Sequence, residues 1–189
     1  KRLEEVQENL RCQGTDTSLY LHDAAAETLP SSLQALLELK IDRIICFTGG
    51  GPYGDFDAKD WKDHQWALQV SLHFPLQLAH VSFANPYIRQ WIFVGSAVAE
   101  SKGDPQASSY AAAKHGLKGW FESVRQESQR DIRLFSPGYT DTRMLPHKAE
   151  VRQKGGLWSP EAVSDRLINW MQQGSEVPSH LLLNCYDQS

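Results

Sequence analysis

Long apolar runs are missing from this 189-residue chain. None approaches the ~18 residues a membrane-spanning helix requires, and no secretory leader is visible, so the sequence reads as a cytoplasmic protein without a membrane partner. Clustered positive charge is missing too. The net charge is −4 with Lys and Arg scattered along the chain, which excludes a nucleic-acid surface as the reading. Cysteine is scarce: Cys12, Cys46 and Cys185 lie far apart without a C-x-x-C, the pattern of reduced, packed thiols rather than a disulfide framework. The seven histidines form no H-E-x-x-H, and His73 and His80 on one helical stretch lack a supporting carboxylate pair, so no metal is expected. Gly49 to Gly51 is followed by Pro52 rather than G-K-[ST], and reads as a turn rather than a phosphate loop.

What is present suits one domain over residues 1–189. Hydrophobic residues make up 41%, enough for a single substantial core. Helical spacing of Leu3, Val6 and Leu10 opens the chain. A short strand is expected at residues 19–22, then a helix with Ser31 and Gln34 as a capping box, and a strand at 41–47. One long helix is expected at 57–83, bent by Pro75, followed by a strand at 91–94, a helix at 107–129 and a strand at 132–135. Ser159 and Pro160 begin a helix that Gly174 stops, and residues 180–185 form a last strand. Short apolar runs alternating with helices predict an α/β fold, a parallel sheet covered on both faces.

Chemistry concentrates after the strand at 91–94. A serine, Ser96, ends that strand, and Tyr110 and Lys114 sit four residues apart on one face of the next helix. Of the six tyrosines only Tyr110 has a lysine at that spacing. The order of elements and these residues together resemble the short-chain dehydrogenase/reductase family over essentially the whole chain. The resemblance implies a Rossmann-type doubly wound sheet in three α/β/α layers. Such a sheet needs a strand before the first helix, so an N-terminal strand-helix-strand with its glycine-rich T-G-x-x-x-G-x-G turn is expected to be absent from this sequence.

The same resemblance implies that Ser96, Tyr110 and Lys114 are catalytic, with Ser71 standing where the family has a supporting asparagine. Cofactor contacts are implied at Cys46, Thr48 and Gly49, where the family usually has N-N-A-G, at Tyr110 and Lys114, and at Pro137, Gly138, Thr140 and Thr142 in a P-G-x-V-x-T-like segment. Asp23 matches an acidic residue that contacts adenine, although Asp23-Ala-Ala-Ala equally fits a turn or a cap. The implied cofactor is NAD or NADP, with the choice left open. The implied reaction is reversible hydride transfer to a small carbonyl or alcohol compound, with Tyr110 as general acid/base and Lys114 expected to lower the phenol's pKa. Ser71 and the altered Cys46-Phe-Thr48 leave a second reading open, a non-catalytic protein that binds nucleotide or a partner. Pairing into a homodimer or homotetramer through the helices at 57–84 and 107–129 is implied as well, with Trp120 and Phe121 as candidates for interface or core.

Overall fold

The computed structural model describes residues 2–100, 104–147, 149–174 and 176–184. Four strands make one parallel sheet: β1 (Arg43–Cys46), β2 (Gln90–Val94), β3 (Asp131–Ser136) and β4 (His180–Leu182), ordered β1-β2-β3-β4. The register pairs Arg43 with Gln90, Gln90 with Asp131, and Leu134 with His180. All four strands therefore end on the same side of the molecule, where open α/β sheets place their ligands.

Both faces of the sheet are covered, because alternate side chains along a strand point to opposite faces. On one face Ile44, Cys46, Trp91, Phe93, Ile132 and Leu134 pack with Phe74, Leu78, Leu117 and Phe121. Those partners come from α4 (Phe74–Ser82) and α5 (Ser108–Glu127). On the other face Ile92 and Phe135 pack with Leu167 and Trp170 of α7 (Pro160–Gln172) and with Trp158. The result is the expected three-layer Rossmann-type α/β fold. Phe121, 2% exposed, is a core residue, and the partly buried Trp120 packs against that core, meeting Phe93 edge-on at 4.9 Å. Among the described residues, no helix is long and apolar enough to cross a membrane.

Several local expectations change. Residues 19–22 form no strand; Leu21 is 71% exposed, and β1, at the end of the strand order, meets no ladder partner there. The capping box before α2 (Ser31–Leu37) is not made, because the Gln34 amide reaches back to the Leu29 carbonyl instead. The helix expected at 57–83 is a short 3-10 turn at Phe56–Ala58, then α3 (Trp61–Leu68) running into α4 through a π-helical turn at Gln69–His73. Pro75 offers no N–H, and the wider turn, in which Phe74 N–H bonds to Gln69 O, absorbs that loss without breaking the helix. The last strand ends at Leu182, and Cys185 lies outside the described residues. Ser159 caps α7 as expected, accepting from Ala162 N–H. α1 (Arg2–Cys12) buries none of its residues, and α6 (Glu150–Lys154) is a short helix within the connection before α7.

One buried charge secures the far end of the sheet. Arg133, 2% exposed, pairs with Asp131 at 2.7 Å and donates to the carbonyls of Trp170, Gln173 and Gly174 at 2.8, 2.8 and 3.2 Å. It thereby serves the carbonyls at and just beyond the end of α7, where Trp170 O also accepts from Gln173 N–H at 3.2 Å. Replacing Arg133 with Ala removes the donor to the Gln173 and Gly174 carbonyls and the partner of Asp131, and a loss of ~3 kcal/mol is expected. Urea denaturation checks it, with Arg133→Lys recovering only part because an ammonium lacks the planar fork.

Candidate active site

The loops leaving β1, β2 and β3 converge at the carboxyl edge of the sheet, and Lys114 stands at their meeting point. Its side chain comes up from α5 and is 2% exposed. The ammonium donates to the Val94 carbonyl at 2.7 Å and to the Thr48 carbonyl at 3.4 Å. It thus ties the tip of β2 to the loop after β1. Burial penalises its charge and lowers its pKa from 10.5 to about 8, with Cys46 acting in the opposite sense. Cys46, also buried, shares a contact of 3.2 Å with the Thr48 hydroxyl, and burial pushes its thiol pKa up.

Tyr110 lies one turn before Lys114, whose Nζ sits 5.6 Å from the centre of the phenol ring. The Ser96 hydroxyl stands beside the phenol and favours its ionised form. The expected lowering of the Tyr110 pKa does not follow. Burial of the phenol raises it, and Ser96 offsets only part of that rise. The geometric reason is that Lys114 aims its ammonium at two carbonyls. Tyr110 is therefore held as a neutral phenol, a proton donor.

Three consecutive glycines fit this centre for three separate steric reasons. A Cβ on Gly49 would stand 3.1 Å from Lys114 Nζ and 3.7 Å from Ser71 Oγ. One on Gly50 would fall 2.5 Å from the Trp66 ring, and one on Gly51 2.9 Å from Tyr110 Cβ. Ser71, fully buried in the π-helical turn, accepts from Gly50 N–H and donates to Gly50 O, both at 2.9 Å. It fastens the glycine loop. The N–H it binds is spent inside the protein, in keeping with a turn rather than a phosphate cradle.

The segment after β3 packs alongside. Ala97 N–H donates to Pro137 O at 2.9 Å, joining it to the Ser96 loop. Thr140 donates to Gly138 O and bridges to Trp158, while Thr142 is exposed and offers its carbonyl to Arg152 at 2.7 Å. Arg152 also holds the Leu145 and Pro146 carbonyls and pairs with Asp141, gathering the whole segment. Asp23 takes the turn alternative: exposed, it accepts from Ala25 N–H at 2.9 Å. The structure thus brings Ser96, Tyr110, Lys114, Ser71, Cys46, Thr48 and Gly49 together and gives Asp23 a turn of its own. Sequence reading missed the Val94 carbonyl and Arg152, which carry no side-chain pattern. It missed Glu100 and Lys118 as well, although these lie four residues beyond Ser96 and Lys114.

Comparison with known proteins bears on the family and the fold. A family model described as short chain dehydrogenase matches residues 22–153. An uncharacterized oxidoreductase of Bacillus subtilis, YxnA, is 32% identical over 88 residues, 41% of this chain and 24% of that protein. The match thus spans about a quarter of that relative's length. An alcohol dehydrogenase from the archaeon Thermococcus sibiricus, solved with 5-hydroxy-NADP, superposes with a TM-score of 0.81 at 16% identity, covering 100% of this chain and 83% of that one. A short chain dehydrogenase from Burkholderia cenocepacia, solved with NADP, gives 0.77 at 19% identity over 96% of this chain and 80% of that one. At these identities the two structures show the shared fold.

The Lys114 pKa sets a pH dependence of stability. Between about 8 and 10.5 the folded protein has lost a proton that the unfolded chain keeps, so stability rises with pH across that window and falls as pH drops through about 8. The full span is worth ~3 kcal/mol. Denaturant unfolding of the protein and of Lys114→Met checks it: the difference between them should shift in favour of the protein as pH rises through the window.

Proposed function

The chain belongs to the short-chain dehydrogenase family, and we propose that the whole protein is an NAD(P)-dependent oxidoreductase of small carbonyl or alcohol compounds. The observation that carries this reading is the buried Lys114 ammonium 5.6 Å from the centre of the Tyr110 ring, with Ser96 beside the phenol. The structural relatives solved with NADP and 5-hydroxy-NADP support a nicotinamide cofactor.

The residues present fit the nicotinamide end of such a cofactor. Gly49 presents no side chain beside Lys114 Nζ, and Thr48, Pro137, Gly138 and Thr140 belong to loops leaving the same edge of the sheet. Lys114 would hold ribose hydroxyls there. Among the described residues, no strand-to-helix turn carries the T-G-x-x-x-G-x-G spacing that would cradle the pyrophosphate. When bound, the cofactor supplies or accepts the hydride.

Everything else falls to the chain. In the reducing direction Tyr110 donates its phenolic proton to the substrate oxygen, and that oxygen becomes a hydroxyl as the carbonyl carbon is reduced. In the oxidising direction the phenolate takes the proton back. Ser96 donates a hydrogen bond to the same oxygen and fixes its distance from the phenol. Lys114 Nζ stands 5.6 Å from the centre of the phenol ring, with donors directed at the Val94 and Thr48 carbonyls. With its pKa raised by burial, Tyr110 is a protonated donor at neutral pH.

A panel of small aldehydes, ketones and alcohols with both nicotinamide cofactors, followed by nicotinamide absorbance, tests the reading. Tyr110→Phe is expected to lower kcat by ~10²–10⁴ while cofactor binding, measured by calorimetry, stays intact. Cofactor binding without turnover on any compound, and no change on Tyr110→Phe, would instead support the non-catalytic reading.

A further inference from the structure

A second polar cluster sits beside the proton-transfer group and takes no part in the chemistry described. Its centre is the Glu100 carboxylate, whose side chain is 8% exposed. Lys118 of α5 forms a close ion pair with it, His180 of β4 approaches it at 3.0 Å, and the Ser136 hydroxyl at the end of β3 donates to it at 3.1 Å. Ser136 and His180 also touch each other at 3.1 Å, the His180 ring meets Phe121 edge-on, and Lys118 has Glu122 as a second carboxylate at 3.9 Å. A buried carboxylate is costly unless its oxygens are satisfied. Here donors from three elements converge on one side chain of a loop.

That loop is the one carrying Ser96. From Ser96 to Glu100 the chain makes a single tight turn: Val98 N–H bonds to Ser96 Oγ at 3.4 Å, Ala99 N–H to Ser96 O at 3.0 Å, and Glu100 N–H to Ala97 O at 3.0 Å. Val98 and Ala99 are buried beneath it. On the strand side, a Cβ on Gly95 would fall 2.6 Å from Ser136 Oγ, so the serine of the cluster presses against the residue before Ser96. On the helix side, Lys118 is one turn beyond Lys114, which places Tyr110, Lys114 and Lys118 along one face of α5. The loop is therefore pinned at both ends to the elements that carry the phenol and the ammonium.

We propose that Glu100 is a positioning residue: clasped by Lys118, Ser136 and His180, it holds the turn that begins at Ser96 and thereby sets where the Ser96 hydroxyl stands beside the Tyr110 phenol. The proposal rests on the functional reading above for its consequence in catalysis, but the contact it concerns exists without cofactor or substrate. Its signature has a sign. Releasing Ser96 removes a hydroxyl that favours the phenolate, so Tyr110 ionises at higher pH. Deleting a carboxylate, or freeing Lys118, favours the phenolate through the field alone, so a purely electrostatic role for Glu100 moves ionisation to lower pH.

The test labels the tyrosines with ¹³C at Cζ, assigns the Tyr110 resonance by its loss in Tyr110→Phe, and follows its position and the onset of ionisation in Ser96→Ala, Glu100→Ala, Glu100→Gln and Ser96→Ala/Glu100→Ala. The expected result is that Glu100→Ala moves the resonance and delays ionisation as Ser96→Ala does, and that the double variant adds nothing further. Glu100→Gln, which keeps the hydrogen bonds and loses the ion pair, should show the same displacement in smaller measure, and it decides the matter if Glu100→Ala does not fold. Any of three results overturns the proposal: an unmoved Tyr110 resonance in a folded Glu100 variant, earlier ionisation, or additive effects in the double variant. With an active substrate in hand, Glu100→Ala should cut kcat by up to ~10² with KM little changed. Absence of turnover in the unaltered protein would overturn the oxidoreductase reading alone, since the phenol titration requires neither cofactor nor activity.

Discussion

The site depends on one ammonium group kept where water would normally surround it. Lys114 retains two backbone acceptors, the carbonyls of Val94 and Thr48, in place of a hydration shell, and the shortfall shows as a pKa lowered to about 8. Those acceptors belong to β2 and to the loop after β1, so this one charge fixes the relative position of two sheet loops. The neighbouring sequence is constrained in turn. Gly49 must be bare beside Nζ, and Gly50 and Gly51 must be bare to let that loop lie against Trp66 and Tyr110. Ser71 then locks the loop through both polar groups of Gly50.

The two ends of the sheet divide the work. At the amino end, Arg133 satisfies three carbonyls and a carboxylate, and its net effect is structural. At the carboxyl end, buried polar groups are arranged less economically: a phenol with a raised pKa, a thiol with a raised pKa and an ammonium with a lowered one lie together. Groups pushed from their ordinary pKa in one cleft mark it as a candidate functional site.

Much of this was legible in the sequence, and the legible part shares a cause. Apolar runs such as Trp91-Ile-Phe-Val94 mark strands buried on both faces, and a serine at such a strand's end followed by Tyr110 and Lys114 on one helical face is a pattern of side chains. What escaped depends on backbone or on tertiary neighbours. Residues 19–22 have strand composition but no ladder partner, and composition does not reveal partners. The direction of the Tyr110 shift depends on where the Lys114 ammonium points, and it points at carbonyls. Ser71, expected as a shortened stand-in for asparagine, also braces the glycine loop through both polar groups of Gly50, a backbone contact that its identity does not reveal. Arg152 gathers the segment after Pro137 through carbonyls, contacts that leave no trace in residue identity.

The most direct measurement is the ionisation of Lys114 itself. In protein labelled with ¹⁵N-lysine, the Lys114 Nζ resonance, identified by its loss in Lys114→Met, should titrate at about 8 while exposed lysines titrate near ~10.4. A Lys114 that titrates with the exposed lysines would contradict the account, because its ammonium would then be hydrated rather than held between Val94 and Thr48.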